Sequence, residues 1–109
     1  MSKEEILAEF DIDLNDPVSV KDGEYLYEHI LVRAKRMVVN DRIGMVEVLR
    51  YWLSLRKDLY TMMAVDIIKD LVISELKPEL NILKEDIESG KIFLPYYKQW
   101  VDRVLKAIS

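Results

Sequence analysis

The chain of 109 residues contains no cysteine. Disulfides, thiol nucleophiles and Cys-built zinc sites are therefore excluded, and the absence fits a reducing compartment. Gly and Pro number three each, too few for the turn-rich pattern of a β-sandwich or barrel or for a phosphate-cradling glycine loop. No G-x-x-x-x-G-K-[ST], G-x-G-x-x-G, G-x-S-x-G or H-E-x-x-H occurs. No apolar run approaches the roughly 20 residues of a membrane span, so no membrane role is expected. The N-terminal MSKEEILAEF is charged and lacks the apolar core of a signal peptide. A cytoplasmic protein is the simplest reading. A single histidine, His29, has no paired nucleophile and no Cys to help it hold zinc. It reads as a partly exposed helix residue. No catalytic residue, cofactor or metal is assigned, and the chain is read as a non-enzyme.

Half of the residues are apolar and a third are charged, with a net charge of −4. This is the composition of one globular domain, residues 1–109. The charge is segregated. Residues 1–32 hold 2 basic and 9 acidic side chains, residues 33–57 hold 7 and 2, and residues 58–109 hold 7 and 9.

Helical spacing dominates the chain. Ser2 and Glu5 form a capping box for a short helix ending near Phe10. DIDLNDPVSVKDG, 11–23, reads as an acidic loop, with Asp11–Leu14 the sole candidate strand. Asp22 then caps a helix to about Val39, with Leu26, Ile30, Ala34 and Met37 on one face, and Asn40-Asp41 ends it and caps the next. Residues 42–57 are apolar on two sides, as expected of a helix sandwiched between neighbours. Asp58 is expected to cap a helix whose inner face is Tyr60, Ala64, Ile67 and Leu71. A further helix starts near Ser74–Pro78, carries Leu76, Leu80, Leu83 and Ile87, and ends at Ser89-Gly90. Pro95 opens the last, with Tyr97, Val101, Val104 and Ile108 inward.

The last four helices have internal similarity. Val46, Val48, Leu49 and Leu53 recur as Leu80, Ile82, Leu83 and Ile87, 34 residues on. Tyr60, Ala64, Ile67, Ile68 and Leu71 recur as Tyr97, Val101, Val104, Leu105 and Ile108, 37 residues on. The three extra residues fall in the turn carrying GKIFLP. The stretch KDLYTMMAVDIIKDLVISELKPELNILKEDI, with Asp66 and Asp70 near the inter-helix polar positions, resembles a HEAT-type α-solenoid repeat across about 41–108. The resemblance implies an all-α fold of five to six helices stacked as antiparallel hairpins, with a concave surface that binds protein.

Three groups are candidate sites. Asp11, Asp13, Asp16, Asp22 and Glu24 form an acidic surface suited to a basic protein partner, as in an adaptor or an immunity- or antitoxin-type inhibitor. Tyr96 and Trp100, at i and i+4 on the terminal helix, suit an interface anchor. Arg33, Arg36, Arg42 and Arg50 offer an alternative, nucleic-acid binding. Against that alternative, Arg33, Lys35, Arg36, Arg56 and Lys57 sit near helix C-termini, where cations are favoured anyway. A further account has the acidic N-terminal segment folded over the same basic face. A homo-oligomer is compatible with the pattern. Residues 11–22 also resemble an EF-hand loop, with Asp11, Asp13, Asn15, Ser19 and Asp22 at ligand positions. Asp16 stands where the resemblance requires Gly, Pro17 follows, and the last ligand is Asp rather than Glu, so calcium is not assigned.

Overall fold

The computed structural model describes residues 2–16, 22–93 and 95–109. Among them are six α-helices and no strand: α1 (Lys3–Leu14), α2 (Gly23–Asn40), α3 (Arg42–Leu55), α4 (Asp58–Leu71), α5 (Lys77–Glu88) and α6 (Tyr97–Ala107). A short 3-10 turn, Ser74–Leu76, leads into α5. The all-α expectation holds. Backbone proximity divides the chain into two compact units, residues 1–48 and 49–109.

In the first unit, α1 packs on α2. The Ser2 hydroxyl accepts the Glu5 N–H at 3.2 Å, closing the expected cap. The helix then runs four residues past Phe10, through the segment expected to be a loop or strand, and ends where Asn15 donates from both backbone and side chain to the Asp11 carbonyl. The extension has a tertiary cause. Ile6 and Phe10 are fully buried, and Asp13, one turn further along, meets Arg33 of α2. This helix also removes the EF-hand-like geometry. Asp11 and Asp13 are two residues apart on a helix and point about 200° apart around it, so they cannot converge on one ion. The Ser19 position of that pattern lies outside the described residues.

Helix α2 buries the expected face, Leu26, Ile30, Ala34 and Met37. Asp22 caps it, accepting from the N–H groups of Glu24 and Tyr25 at 3.1 and 3.2 Å. Asp41 accepts the Gly44 N–H at 3.0 Å and caps α3, a bond that holds its carboxyl below the usual range. A Cβ at position 44 would meet the Asp41 carboxylate and the end of the Ile6 side chain, so a larger residue there would have to displace them.

In the second unit, α6 packs closely on both α4 and α5. Helices α5 and α6 form an antiparallel hairpin. Lys84 pairs with Asp102 at 2.9 Å and Lys98 with Glu88 at 3.0 Å, one residue advancing as the other retreats. Helices α3 and α5 run the same way: Arg50 meets Glu79 and Arg56 meets Asp86, both at 2.9–3.0 Å. Helices α3 and α4 touch beside their turn, where the buried Thr61 hydroxyl donates to the Trp52 carbonyl at 3.0 Å and the Trp52 and Tyr60 rings lie 6.0 Å apart. The close backbone approach of α4 is nevertheless to α6 rather than to α3. The first expected hairpin is thus looser than the second.

With few glycines available, two helices end on other residues. Arg56 and Val72 take left-handed φ of 52°, and the Ile73 N–H closes α4 by donating to the Ile68 carbonyl. Gly90, at φ 76°, ends α5 as expected. The N-cap of α4 is Lys57, with Asp58 in its first turn, one residue from the expected position.

The core of the second unit includes Leu49, Trp52, Leu53, Ala64, Ile67, Leu80, Leu83, Val101 and Val104, each no more than 1% exposed. Leu83→Ala is expected to remove about 2–5 kcal/mol of stability, the usual result of truncating a fully buried leucine. Urea unfolding followed by circular dichroism checks this, and a loss under about 1 kcal/mol would mean that α5 is not packed as described.

Candidate functional site

The N-terminal acids are not one free surface. The Asp13 carboxylate accepts the Arg33 Nε–H at 2.9 Å, and Glu9 accepts from Arg33 Nη1 at 2.8 Å. The Arg33 and Asp13 side chains are only 15% and 11% exposed. The hydrogen bond that Arg33 donates to Asp13 raises the Arg33 pKa above its ordinary value, against the opposing effect of burial. Asp22 is engaged as a helix cap. Asp11 and Glu24 are exposed, and Asp16 is half-buried and engaged in an interaction of its own.

The candidate arginines divide similarly. Arg33 is clamped, which fits the account in which the acidic N-terminal segment covers this part of the basic block. Arg50 donates to Glu79, while Arg36 and Arg42 are exposed. His29 is exposed, with Nδ1 donating to the Tyr25 carbonyl at 2.9 Å and its ring 4.0 Å from that of Tyr25. Among the described residues no cluster of His, Asp and Glu has metal-holding geometry, and no helix is long and apolar enough to cross a membrane.

The second unit brings together residues that the sequence scatters. On α4, Asp58, Met62, Asp66 and Asp70 recur every fourth residue and share one face. On α6, Tyr97 and Trp100 occupy the neighbouring face. Trp100 lies close enough to the Asp66 carboxylate to favour its charged form, and Tyr97 close enough to Asp58 to feel its charge.

Around Tyr97 the rings form a continuous group. Tyr96 stacks on it with centroids 4.6 Å apart, Phe93 meets it edge-on at 5.5 Å, and Trp100 lies at 6.4 Å. Tyr96 is 61% exposed, Trp100 is half-buried and Asp58 and Asp70 are exposed. Of the anticipated anchor pair, Tyr96 stands out in solvent while Trp100 is held against α4. Phe93 reaches the group from a backbone with φ 56°.

Asp66 is the residue the sequence alone did not single out as a site. Burial first, then the neighbouring Asp70 charge, push its carboxyl up to about 6, opposed by Lys69 and by the Trp100 hydrogen bond. This face is therefore acidic and aromatic. It has no nucleophile paired with a base.

No protein-family model matches the chain, and no curated protein or solved structure shows a significant match to it.

Two predictions follow from these pairs. Arg33→Met leaves Asp13 nearly buried without its partner and should lower stability by about 1–3 kcal/mol, read from chemical denaturation; an unchanged midpoint would show the clamp to be idle. Asp66 gives the fold a pH dependence with a definite sign. Its folded pKa lies above the unfolded value, so its favourable contribution is present in acid and fades as pH rises through about 6. Asp66→Asn keeps an acceptor for Trp100 and should raise the melting temperature at neutral pH, with the gain shrinking in acid. A variant less stable than the parent at neutral pH would contradict the assignment.

Proposed function

We propose that the chain is a non-catalytic protein–protein interaction module, a short HEAT-like stack of helical hairpins that works in the cytoplasm as an adaptor or as an inhibitor of a basic partner. The observation that carries this reading is the α4–α6 face, where the exposed Tyr96 stacks on Tyr97 beside Trp100 and a row of carboxylates. Exposed aromatic rings with fixed geometry bury much area at little entropic cost and are favoured interface anchors.

The HEAT-like reading draws support from direction and offset. Helices α3 and α5 run parallel, and α5 and α6 are antiparallel. Repeated hairpins produce this relation between their first helices. Terminal repeats leave one face uncovered, which agrees with the contrast between Val48, fully buried, and its repeat mate Ile82, 52% exposed. Nucleic-acid binding has less support, because Arg33 and Arg50 already hold carboxylates at 2.9 Å.

The α4–α6 face replaces the N-terminal acids as the main contact in this reading. Affinity capture from the native host should recover a protein on the wild-type chain that Tyr96→Ser fails to retain, while circular dichroism of the two is the same. Identical sets of captured proteins would refute this face as the binding surface.

A further inference from the structure

We infer that the outward face of α2 is a self-association surface, on which two copies of the chain pair their α2 helices antiparallel. This contact lies in the first unit and is separate from the α4–α6 face. Tyr25, His29, Val32, Arg36 and Val39 recur at intervals of four, three, four and three residues. At about 100° per residue they fall within roughly 80° of one another, on the side turned away from Leu26, Ile30, Ala34 and Met37. All five are exposed, Val32 by 58% and Val39 by 85%. Alternating steps of three and four are the spacing by which one helix follows another along a shared seam. Grooves of about 310 Å³ border this ridge, one lined by Glu28, Val32 and Arg36 among others, the second by Lys35, Arg36, Val39 and Asn40. A ridge flanked by grooves is what a second helix needs in order to interlock.

The charges identify the occupant. Glu28 and Lys35 lie on the same edge of the stripe, seven residues apart. That is about 10 Å along a helix, too far for them to pair within the chain. Among the described residues, neither they nor Arg36 has an ion-pair partner. In an antiparallel pair with two-fold symmetry, a contact from residue i to residue j is repeated from j to i. One register sets Glu28 beside Lys35 of the second copy at two places at once. The same register lays Arg36 of each copy on the Tyr25 ring of the other and brings Val32 against His29. Long helical side chains lean towards the helix N-terminus, so Tyr25 also reaches Val39 of the second copy. The Tyr25 ring already lies 4.0 Å from that of His29 and has little freedom left to lose. A guanidinium over its face is attracted by the ring quadrupole.

Other occupants lack this complementarity. A parallel pair would set Arg36 against Arg36 in one layer of the seam. An acidic helix or a phosphate backbone would suit Lys35 and Arg36 but would meet Glu28 with like charge. The reversed copy answers both signs along the stripe.

Sedimentation equilibrium of the full chain tests this. A single helix face is a small interface, so the dimer should be weak, with a dissociation constant of roughly 10–1000 μM. The average mass should rise from monomer towards dimer across that range. Lys35→Glu sets carboxylate against carboxylate at both places and should weaken the dimer about tenfold or more. Glu28→Lys should do the same with two ammonium groups. Combining Glu28→Lys with Lys35→Glu recreates both pairs and should return the dimer to within about threefold of the parent. Circular dichroism should be the same for all four proteins. A mass that stays monomeric throughout, an unweakened Lys35→Glu dimer, or a double exchange that restores nothing each overturns the inference. A dimer broken by Tyr96→Ser but not by Lys35→Glu does so too, by moving the contact to the α4–α6 face.

Discussion

The seating of α6 between α4 and α5 is what the rest of the second unit depends on. Val101 and Val104 are fully buried and Ile108 nearly so, and these side chains fix the rotation of the helix about its axis. A helix of 11 residues is marginal on its own in water. Its order comes from packing, and so does the order of everything on its remaining face. Tyr97 stands one turn before Val101 on the same stripe, and Trp100 flanks that stripe. The salt bridges to α5 then set how far α6 slides along its neighbour. Apolar burial supplies most of the stability, and the partly exposed ion pairs mainly specify register.

The first unit uses the same division of labour with a different balance. Ile6, Phe10, Leu26, Ile30, Ala34 and Met37 supply the apolar contact, while Arg33 gathers two carboxylates of α1. The charge segregation evident along the chain therefore resolves partly into local neutralisation. An acidic segment followed by a basic block reads, in sequence, as two binding surfaces. Folded, its central members are each other's counter-ions, which is the less costly arrangement for charges that lose solvent.

What the sequence made legible was whatever is local. Apolar residues at helical spacing located five of the six helices closely, and the Ser2, Asp22 and Asp41 caps follow from side-chain reach over two or three residues. The end of α1 was not legible, because Asp13 is held by a residue 20 positions away. Nor was the preference of α4 for α6, since both are amphipathic and either could satisfy any apolar stripe. The repeat offsets paired Val48 with Ile82, yet one is buried and the other exposed. Offsets report the pattern a helix carries and not how many neighbours cover it. Of the candidate site, Tyr96 and Trp100 could be named from their spacing, but Asp66 entered only as a loosely matched repeat position. Its environment is made by burial and by an indole from another helix, neither of which spacing can disclose.

Asp66 differs in its energetics from the exposed N-terminal acids. A fully solvated carboxylate such as Asp11 already interacts well with water, and pairing it gains little. Asp66 has lost part of its solvent and stands near a like charge, so in the free protein its ionised form is disfavoured. Ionising Asp66 at neutral pH therefore costs the fold stability that an asparagine at the same position would keep, whereas the exposed N-terminal acids carry no such cost.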